Sequence, residues 1–304
     1  MQPFSINVLP TITQVIDAGA SRLREAAIEH DRRTAGVLLA HVLGVDRTHL
    51  LINSETQVIE SHYNSYLRLI ERRAAGEPLQ YITGHQEFYG LDFIVNSSVL
   101  IPRPETEVLI DRVIAISKQF DEEPLLFGDI GTGSGCVAVV VAVRVPRAHV
   151  IASDLSQAAI DVARANAERQ GVSDRIDFIA GDLFEPFAKR SLRGAINIFV
   201  SNPPYVDREE SKLIQREVHD WEPHDALFGG AGGLAFHRRL LQEGFEYAKA
   251  GGYLVFEIGY GQINSITNMI AESAWTLIDV TRDLQGIPRT VTVRKPLEQV
   301  RPVA

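Results

Sequence analysis

The sequence predicts an α/β protein with two parts, a helical N-terminal domain and a larger domain built on a mostly parallel sheet. Over residues 10–75, apolar residues recur at spacings of three and four, which is typical of amphipathic helices. From residue 125 onward, short apolar runs alternate with helical patterns, which is typical of a parallel sheet covered on both faces. We expect a helical domain over 1–76, a β-hairpin connector over 77–103 and a second domain over 104–304.

The helical domain is predicted from two apolar stripes and from the signals that begin and end helices. The stripes are Ala35, Leu38, Leu39 and Val42 in one segment and Tyr63, Tyr66, Leu67 and Ile70 in another. Asp31 and Ser54 are predicted N-caps, because their side chains can accept from the free N–H groups of a first turn. Gly76, with Pro78 two residues later, is predicted to end the last helix of this domain.

The connector changes from a helical period to an alternating one. Gly90 separates two short alternating runs, 88–89 and 91–95, which predicts a hairpin. Pro102 and Pro104 then close this stretch before the next helical pattern begins.

Seven apolar runs predict the strands of the second domain. They are 125–130, 149–154, 176–180, 196–201, 252–258, 276–280 and 290–294. The clearest helix is 156–170, with Ser156 as its N-cap and Gly171 as its stop. Residues 282–286 are too few for a crossover helix, so the last two strands are predicted to be antiparallel. Five parallel strands followed by an antiparallel hairpin resemble the Rossmann-like sheet of S-adenosylmethionine-dependent methyltransferases.

The charge distribution bounds the kind of partner. The net charge is −9, and residues 1–75 are neutral, with eight arginines and eight acidic residues, so the remaining 22 basic and 31 acidic residues carry the excess. An enzyme that acts on duplex nucleic acid would need the opposite balance, because neutralising phosphates dominates its affinity. A protein partner is therefore expected, and direct nucleic-acid binding is not.

Three further features of the sequence restrict the class of protein: its cysteine, its apolar runs and its histidines. Cys136 is the single cysteine, so an internal disulfide is excluded; we expect a buried packing residue, not a reactive thiol, and a cytoplasmic location. No apolar run approaches the length of a membrane span, and the residues after Met1 show no signal-peptide pattern. His219, His224 and His237 lack the spacing of a metal site, so no metal is expected.

A glycine loop follows the first predicted strand of the sheet and opens a helix. Its sequence is Asp129-Ile-Gly-Thr-Gly-Ser-Gly135, in which alternating glycines allow positive φ and a close approach of the backbone to a ligand. The candidate cofactor-binding residues are Gly131, Thr132, Gly133, Ser134 and Gly135. The third glycine comes one residue earlier than in the G-x-G-x-x-G dinucleotide pattern, so a dinucleotide, another cofactor and a mere tight turn stay open here. Asp129 could orient the loop or accept from the amino group of a methionine moiety.

Two aspartates end the next two predicted strands. Asp154 could accept both hydroxyls of a ribose, or it could cap the helix that begins near Ser156. Asp182 could accept from an adenine amino group, or it could be a solvated loop residue. Because the carboxyl ends of parallel strands meet at one edge, we expect these side chains to line one crevice with the glycine loop.

The motif Asn202-Pro203-Pro204-Tyr205, the NPPY loop, ends the strand 196–201 and is the most specific signal in the chain. Two prolines remove two backbone donors, which leaves a rigid loop of acceptors at the strand tip. The Asn202 side-chain oxygen and the Pro203 carbonyl can hold a planar NH2 group, and Tyr205 is expected to pack on the amide plane. Orientation and preorganised dipoles would carry most of the rate of methyl transfer to such a nitrogen. All four residues are candidate catalytic residues; the alternative is a stiff loop without chemistry.

Residues after the NPPY loop have a weaker signal. Glu217, Glu222-Pro223 and the glycine-rich stretch 229–233 could form a substrate-facing lid with glycine hinges, or an ordinary surface loop. Glu257 could be buried near the site, or it could cap the helix after Gly261.

With these motifs in place, the chain resembles the HemK/PrmC family of peptide-chain release factor glutamine methyltransferases over nearly its full length. The matching segments are 76–84, 99–107, 129–135, 202–205, 222–223 and 257–259. Ile101-Pro-Arg-Pro-Glu-Thr-Glu107 together with the NPPY loop is the most specific combination, since NPPY alone also occurs in adenine-amine methyltransferases.

The resemblance implies the cofactor, the substrate and several contacts. It implies S-adenosylmethionine as cofactor and transfer to the glutamine in the GGQ motif of class I release factors, which act in translation termination. It also implies that the N-terminal helical domain recognises the release factor. Family cofactor contacts fall on residues 131–135, Asp154, Leu183 and Asn202, and Leu183 stands where some relatives have an aromatic residue.

Three alternatives are kept beside this interpretation. The first is a glutamine methyltransferase of a ribosomal protein, a sister group that shares NPPY. The second is an adenine-amine nucleic-acid methyltransferase, against which the acidic charge counts. The third is a cofactor-binding protein without catalysis, against which the complete NPPY loop counts.

Overall fold

The structure, a computed structural model, describes residues 9–297, apart from the side chains of 210, 212 and 213. Its contacts divide the chain into two compact units. One unit holds the described residues up to Gly84 together with 215–221, and the other holds 85–214 and the described residues from 222 onward. Over residues 9–297, the helices are all too short or too polar to span a bilayer.

The first unit is helical and is built around one apolar core. Its first five helices are α1 (Ile12–Glu25), α2 (Asp31–Leu43), α3 (Arg47–Ile52), α4 (Glu60–Ala74) and α5 (Leu79–Thr83). The predicted stripes supply this core, in which Leu38, Leu39, Tyr66 and Ile70 are fully buried. Helices α1 and α4 approach closely because Gly19 leaves room for the Tyr66 ring.

The N-caps of this unit lie at residues other than the two predicted ones. Thr11 forms a capping box on α1, and Asp46 caps α3 by accepting from the His49 N–H at 2.7 Å. Asp31 is the first residue of α2, not its cap, and Ser54 lies in a turn and caps no helix. Gly76, with a φ of 100°, directly follows Ala75, the C-cap of α4, so it ends that helix as predicted; the short helix α5, with Pro78 as its N-cap, then follows.

The second unit opens with the predicted hairpin, β1 (His85–Phe88) and β2 (Leu91–Ile94), which pair antiparallel. The Asn166 side chain holds it, accepting from Ile94 N at 2.7 Å and donating to Ile94 O at 3.0 Å. Both backbone groups at the end of β2 are thereby satisfied by one amide.

A seven-stranded sheet forms the centre of the second unit. Its strands are β3 (Leu125–Ile130), β4 (Ala148–Asp154), β5 (Ile176–Ala180), β6 (Ile196–Ser201), β7 (Ala248–Glu257), β8 (Thr276–Arg282) and β9 (Pro288–Arg294). The order is β5-β4-β3-β6-β7-β9-β8; the first five strands are parallel, and β9 is antiparallel to both β7 and β8. The predicted sheet of five parallel strands with a terminal antiparallel hairpin is confirmed.

Helices cover both faces of this sheet. The remaining helices are α6 (Thr106–Ser117), α7 (Cys136–Arg144), α8 (Gln157–Arg169), α9 (Glu185–Lys189), α10 (Arg216–Trp221, in the first unit), α11 (His224–Leu227), α12 (Ala235–Tyr247) and α13 (Ile263–Ala271). Helices α6, α7 and α8 pack on one face, and α9, α12 and α13 pack on the other. Strand β7 shows the alternation, because Val255 belongs to the first core and Leu254 to the second. The parallel strands therefore all end at the same edge, where polar loops follow them.

Candidate active site

A cavity of about 660 Å³ lies at the carboxyl edge of the sheet. The loops that follow β3, β4, β5 and β6 form its walls, together with the segment before α6 and part of the segment that follows the NPPY loop. A cavity of this size, at the strand ends of an open α/β sheet, has the dimensions and position of a small-molecule site.

Hydrogen bonds tie the tips of neighbouring strands together. The Ser153 hydroxyl donates to the Leu183 carbonyl at 3.0 Å, and the Ser201 hydroxyl donates to the Ile130 carbonyl at 2.7 Å. Gly131 and Thr132 donate their N–H groups to the Ser153 carbonyl at 2.8 and 2.9 Å. The four loops therefore have fixed positions relative to one another.

The glycine loop adopts the conformation that its sequence requires. Gly131, Gly133 and Gly135 have φ values of 73°, 54° and 78°, in the left-handed region that favours glycine. A Cβ at Gly131 or Gly133 would meet only open space, so the loop presents bare backbone there. Gly135 serves a different purpose, because its Cα lies against Ala163 of α8 and leaves no room for a side chain.

Asp129 is buried and holds the glycine loop from behind. Its Oδ2 accepts from the Thr132 hydroxyl at 2.6 Å and from the Ala138 N–H at 3.2 Å. Burial raises the pKa of Asp129 from 3.8 to about 7, because the charged carboxylate is removed from water. Ser134, a buried residue of the same loop, accepts from Asn166 Nδ2 on its backbone carbonyl oxygen at 2.9 Å. Asp129 thus orients the loop, and neither of its two bonds occupies Oδ1.

Asp154 joins two loops at the next strand tip. Its Oδ2 accepts from the Gly133 N–H at 2.8 Å and its Oδ1 from the Ser156 N–H at 2.9 Å. Ser156, not Asp154, is the N-cap of α8, accepting from the Ala159 N–H at 3.2 Å. Burial raises the pKa of Asp154. Each carboxylate oxygen has a further lone pair, so the side chain can still accept from two hydroxyls in the cavity.

Asp182 and Leu183 form the far end of the cavity. The Asp182 carboxylate pairs with both terminal nitrogens of Arg239, each at 3.0 Å. Leu183 has a φ of 44°, and its side chain is buried against the second core of the sheet while it also lines the cavity. An apolar Leu183 wall beside an acceptor is suited to the flat, NH2-bearing ring of adenine.

The NPPY loop is held by a chain of four side chains. Asn202 Nδ2 donates to Thr106 Oγ1 at 3.0 Å, and the Thr106 hydroxyl donates to Glu257 Oε2 at 2.8 Å. The Tyr205 hydroxyl donates to the other oxygen, Glu257 Oε1, at 3.1 Å. Burial raises the pKa of Glu257 to about 7 and raises the pKa of Tyr205 above its ordinary value. Glu257 is therefore buried beside the site, as one of its two predicted placements had it.

The members of the NPPY loop differ in where they face. Asn202, Pro203 and Pro204 line the cavity, whereas Tyr205 is absent from the described lining and points its hydroxyl at Glu257. The expectation that the Tyr205 ring packs on a substrate amide therefore has no support from its position. The geometry instead makes Tyr205 an anchor of the loop.

The glycine-rich stretch 229–233 backs the NPPY loop. A Cβ at Gly229 would lie 2.5 Å from the Pro204 carbonyl oxygen, and one at Gly233 would overlap the Tyr205 carbonyl oxygen. Gln262 joins the same segments, donating to the Tyr205 carbonyl at 2.9 Å and accepting from the Gly259 N–H at 2.8 Å. Gly229 and Gly233 are thus positions of close backbone approach, and the structure gives them no role as hinges.

A partly buried ion pair fixes Glu222, which precedes this glycine-rich stretch. Glu222, which is 4% exposed, accepts from Arg103 Nη2 at 2.5 Å and from the Ile101 N–H at 3.1 Å. Arg103 lines the cavity, and so does Pro223, the residue after Glu222. Glu217 takes no part in this site, since it pairs with Arg73 at 2.6 Å within the first unit.

The cavity fits S-adenosylmethionine. The open backbone at Gly131 and Gly133 leaves room for the methionine part, Asp154 offers acceptors to a ribose, and Leu183 offers an apolar wall to adenine. Cys136 begins α7 beside the loop; it is half-buried and lines the cavity, not fully buried as expected, and desolvation raises the pKa of its thiol to about 12, so it stays protonated. Among the described residues, no group of three or more His, Cys, Asp or Glu side chains could hold a metal ion.

Sequence reasoning missed three residues of this site: Thr106, Gln262 and Arg103. Thr106 and Arg103 lie in the segment 101–107 that carries the family resemblance, but no local pattern gives them a role. Thr106 meets Asn202 and Glu257, which are 96 and 151 positions away along the chain. Only the fold brings such partners together.

Comparisons with known proteins show which family the chain belongs to. Residues 14–84 match the family model described as PrmC N-terminal domain, and residues 112–220 match the one described as Methyltransferase small domain. A release factor glutamine methyltransferase of Koribacter versatilis is 40% identical over 286 residues, which cover 94% of this chain and 99% of the relative. One of Geobacter sulfurreducens is 38% identical, covering 92% of this chain and 95% of the relative.

Solved structures agree on the fold alone. A methyltransferase from Pyrococcus furiosus superposes with a TM-score of 0.50 at 18% identity, covering 77% of this chain and 99% of that chain. The hMettl16 catalytic domain, solved in complex with the MAT2A 3'UTR hairpin 6, gives a TM-score of 0.54 at 14% identity, covering 74% and 81%.

Proposed function

Because this chain belongs to the release factor glutamine methyltransferase family, we propose that it methylates the side-chain amide nitrogen of the glutamine in the GGQ motif of class I peptide-chain release factors. The enzyme is an S-adenosylmethionine-dependent methyltransferase. The observation that carries the proposal is the orientation of Asn202: its Nδ2 is bound to Thr106, which leaves Oδ1 as the acceptor at the cavity wall.

The cofactor is assigned to the part of the cavity between the glycine loop and Leu183. Backbone of residues 131–135, Thr132 and Ser134 included, would hold the methionine part, with Asp129 Oδ1 facing its ammonium group. Asp154 would accept the ribose hydroxyls, while Asp182 and Leu183 would bound the adenine. Bound there, S-adenosylmethionine would supply a methyl group from its positively charged sulfur, which becomes a neutral thioether as the methyl group is transferred.

The acceptor is assigned to the NPPY end of the cavity. An amide nitrogen is a poor nucleophile, because its lone pair is delocalised into the carbonyl. Asn202 Oδ1 and the Pro203 carbonyl can each accept one N–H, which fixes the NH2 group and stabilises the positive charge that grows on nitrogen as the N–C bond forms. One amide proton then passes to solvent water, so that the methylated amide is neutral. Pro203 and Pro204 hold these acceptors rigid, and Tyr205 holds the loop from behind.

The same family membership supports a release factor as the partner. We propose that the first unit recognises the release factor, which places the reaction in the cytoplasm, where translation factors act. The acidic charge of the rest of the chain agrees with a protein substrate and does not favour direct contact with nucleic acid.

A transfer assay with four acceptors tests the proposal. The enzyme is incubated with methyl-labelled S-adenosylmethionine and, in parallel, with a release factor, the same factor with glutamate in place of the GGQ glutamine, a ribosomal protein, and DNA. We expect label only in the first, located by mass spectrometry on the glutamine side chain. Label that persists in the glutamate-bearing factor, or that enters only the ribosomal protein or DNA, would contradict it.

A further inference from the structure

We propose that Glu257 is a positioning residue that acts through Thr106 to decide which end of the Asn202 amide faces the acceptor. The inference rests on the proposed function, because the acceptor is taken to be a planar NH2 group. It concerns the direction of the hydrogen bonds in the chain Glu257–Thr106–Asn202, and none of these three residues has been given that role by a local motif.

The direction follows from the number of hydrogens available. An ionised carboxylate has none, so it can only accept, and a hydroxyl has one. Thr106 gives its hydrogen to Glu257 Oε2 at 2.8 Å, so toward Asn202 it can only accept. The group of Asn202 that meets it at 3.0 Å must then be the NH2, and Oδ1 must face the cavity. Glu257 thereby selects the acceptor face of Asn202 without touching the substrate.

The surroundings keep this order fixed. Glu257 is 1% exposed and Thr106 is 2% exposed, so water does not compete for either group. The Tyr205 hydroxyl occupies the other carboxylate oxygen at 3.1 Å, which prevents the carboxylate from turning away. A buried hydrogen-bond chain of this kind is strong when every member is satisfied and costly when one is not.

The charge on Glu257 is the variable on which the order depends. A neutral side chain at 257 could donate to Thr106, whose own hydrogen would then turn to Asn202. The Asn202 amide would rotate so that its Oδ1 accepts from Thr106. Its NH2 would then face the NH2 of the substrate amide, which places two donors against each other.

The groups around Glu257 act on its charge in both directions. Arg289 favours the ionised form and Glu105 opposes it, while the Tyr205 and Thr106 hydroxyls stabilise the anion. His237 donates from Nε2 to the Glu257 carbonyl at 2.9 Å, and burial lowers the pKa of His237, so it stays neutral. Burial raises the pKa of Glu257 to about 7. The ionised form is required, so turnover should fall as the pH drops below about 7.

Three variants test the inference. Glu257→Gln keeps the shape and replaces one acceptor oxygen by a donor; we expect kcat to fall on the order of 10²-fold, as for losing one oriented group in a catalytic hole. Its acid limb in the pH–rate profile should disappear, while calorimetry should show cofactor affinity within about twofold of the wild type. Thr106→Ser, which keeps the hydroxyl, should retain most activity, and the isosteric Thr106→Val should lose it.

The outcomes separate this inference from the proposed function. A wild-type enzyme that transfers no methyl group to the release factor would refute the function. An active wild type with Glu257→Gln at full kcat and an unchanged pH profile, or with equal Thr106→Val and Thr106→Ser activities, would refute the positioning role. Neutron diffraction from deuterated wild-type crystals gives a readout without activity: deuterium on the Asn202 nitrogen facing Thr106 is expected, and Oδ1 facing Thr106 would overturn the inference. If Glu257→Gln fails to fold, the Thr106 pair and the diffraction result decide.

Discussion

Asp154 Oδ2 accepts the Gly133 N–H at 2.8 Å, so a carboxylate at the tip of β4 holds the loop at the tip of β3. The same side chain keeps lone pairs for a ligand, because each of its oxygens takes only one backbone donor. The position of the loop and the ribose binding proposed above therefore depend on the same residue.

Asp154→Ala should weaken cofactor binding by roughly 1–3 kcal/mol, the loss expected when buried polar partners are left unpaired. Titration calorimetry with S-adenosylmethionine measures it. Asp161→Ala, an exposed carboxylate on α8 with a side chain 63% exposed, is the matched control and should bind normally. Unchanged affinity in a folded Asp154→Ala protein would assign Asp154 to loop structure only.

Gly233→Ala should impair the NPPY loop, because its Cβ would overlap the Tyr205 carbonyl oxygen. Gly232→Ala is the matched control: Gly232 has nearly the same φ, 63° against 67°, but its Cβ would meet only Leu234 at 4.0 Å. Both variants should lose about 1–2 kcal/mol of stability from the left-handed backbone. Gly233→Ala should lose more, and its turnover should fall well below that of Gly232→Ala in single-turnover assays. Equal turnover in the two variants would mean that the close contact does not position the loop.

Local pattern was enough to predict the strands and the glycine loop, because both depend on neighbours in the sequence. The predicted 125–130, 176–180 and 196–201 coincide with strands of the sheet. The second and fifth runs differ from β4 and β7 at their ends, and a bulge lies where β7 extends back to Ala248. Period and turn residues carry this information directly.

The support of the site could not be predicted in the same way. A glycine in a sequence indicates either conformational freedom or a close contact. At Gly229 and Gly233 the structure shows a close contact. The backbone carbonyls of Pro204 and Tyr205 lie beside them. The Tyr205 hydroxyl has its partner 52 positions away, so its anchoring role had no local signal. Residues 215–221 belong to the N-terminal unit for the same reason, since their contacts lie more than a hundred positions back along the chain.

Asp129→Asn should change how stability depends on pH. The pKa of Asp129 is raised from 3.8 to about 7 in the folded protein, so the folded state holds a proton that the unfolded state has lost between about pH 4 and pH 7. This group therefore makes the free energy of unfolding fall as the pH rises through that window. Each pKa unit is worth about 1.4 kcal/mol, so the loss is on the order of 4 kcal/mol.

Asparagine at position 129 keeps an acceptor for Thr132 and Ala138 but carries no charge. Urea unfolding at several pH values should show that Asp129→Asn lacks this fall, so that the variant gains on the wild type toward pH 8. Glu257 titrates in both proteins, so its contribution to the pH dependence of stability cancels when the two are compared. The affinity of the variant for S-adenosylmethionine should drop, because a neutral amide offers no charge to an ammonium group. Parallel stability curves for the two proteins would mean that folding does not raise the pKa of Asp129.

Asn202 offers the most direct test of the acceptor site. Its Nδ2 is bound to Thr106, so Oδ1 is the group that it can offer to an acceptor amide. Asn202→Ala removes that oxygen and should lower turnover on the order of 10²–10³-fold, comparable to losing one oriented group in a catalytic hole. Asn202→Asp keeps an acceptor but replaces the donor that meets Thr106 by a second acceptor, so it should also lose activity while binding cofactor. Single-turnover transfer to the release factor across pH, with each fold checked by thermal unfolding, gives the comparison. Because Glu257 acts through the Asn202 amide, the remaining activity of Asn202→Ala should lack the acid limb of the wild-type pH profile. An Asn202→Ala enzyme with full turnover would refute the assignment of the acceptor site to the NPPY loop.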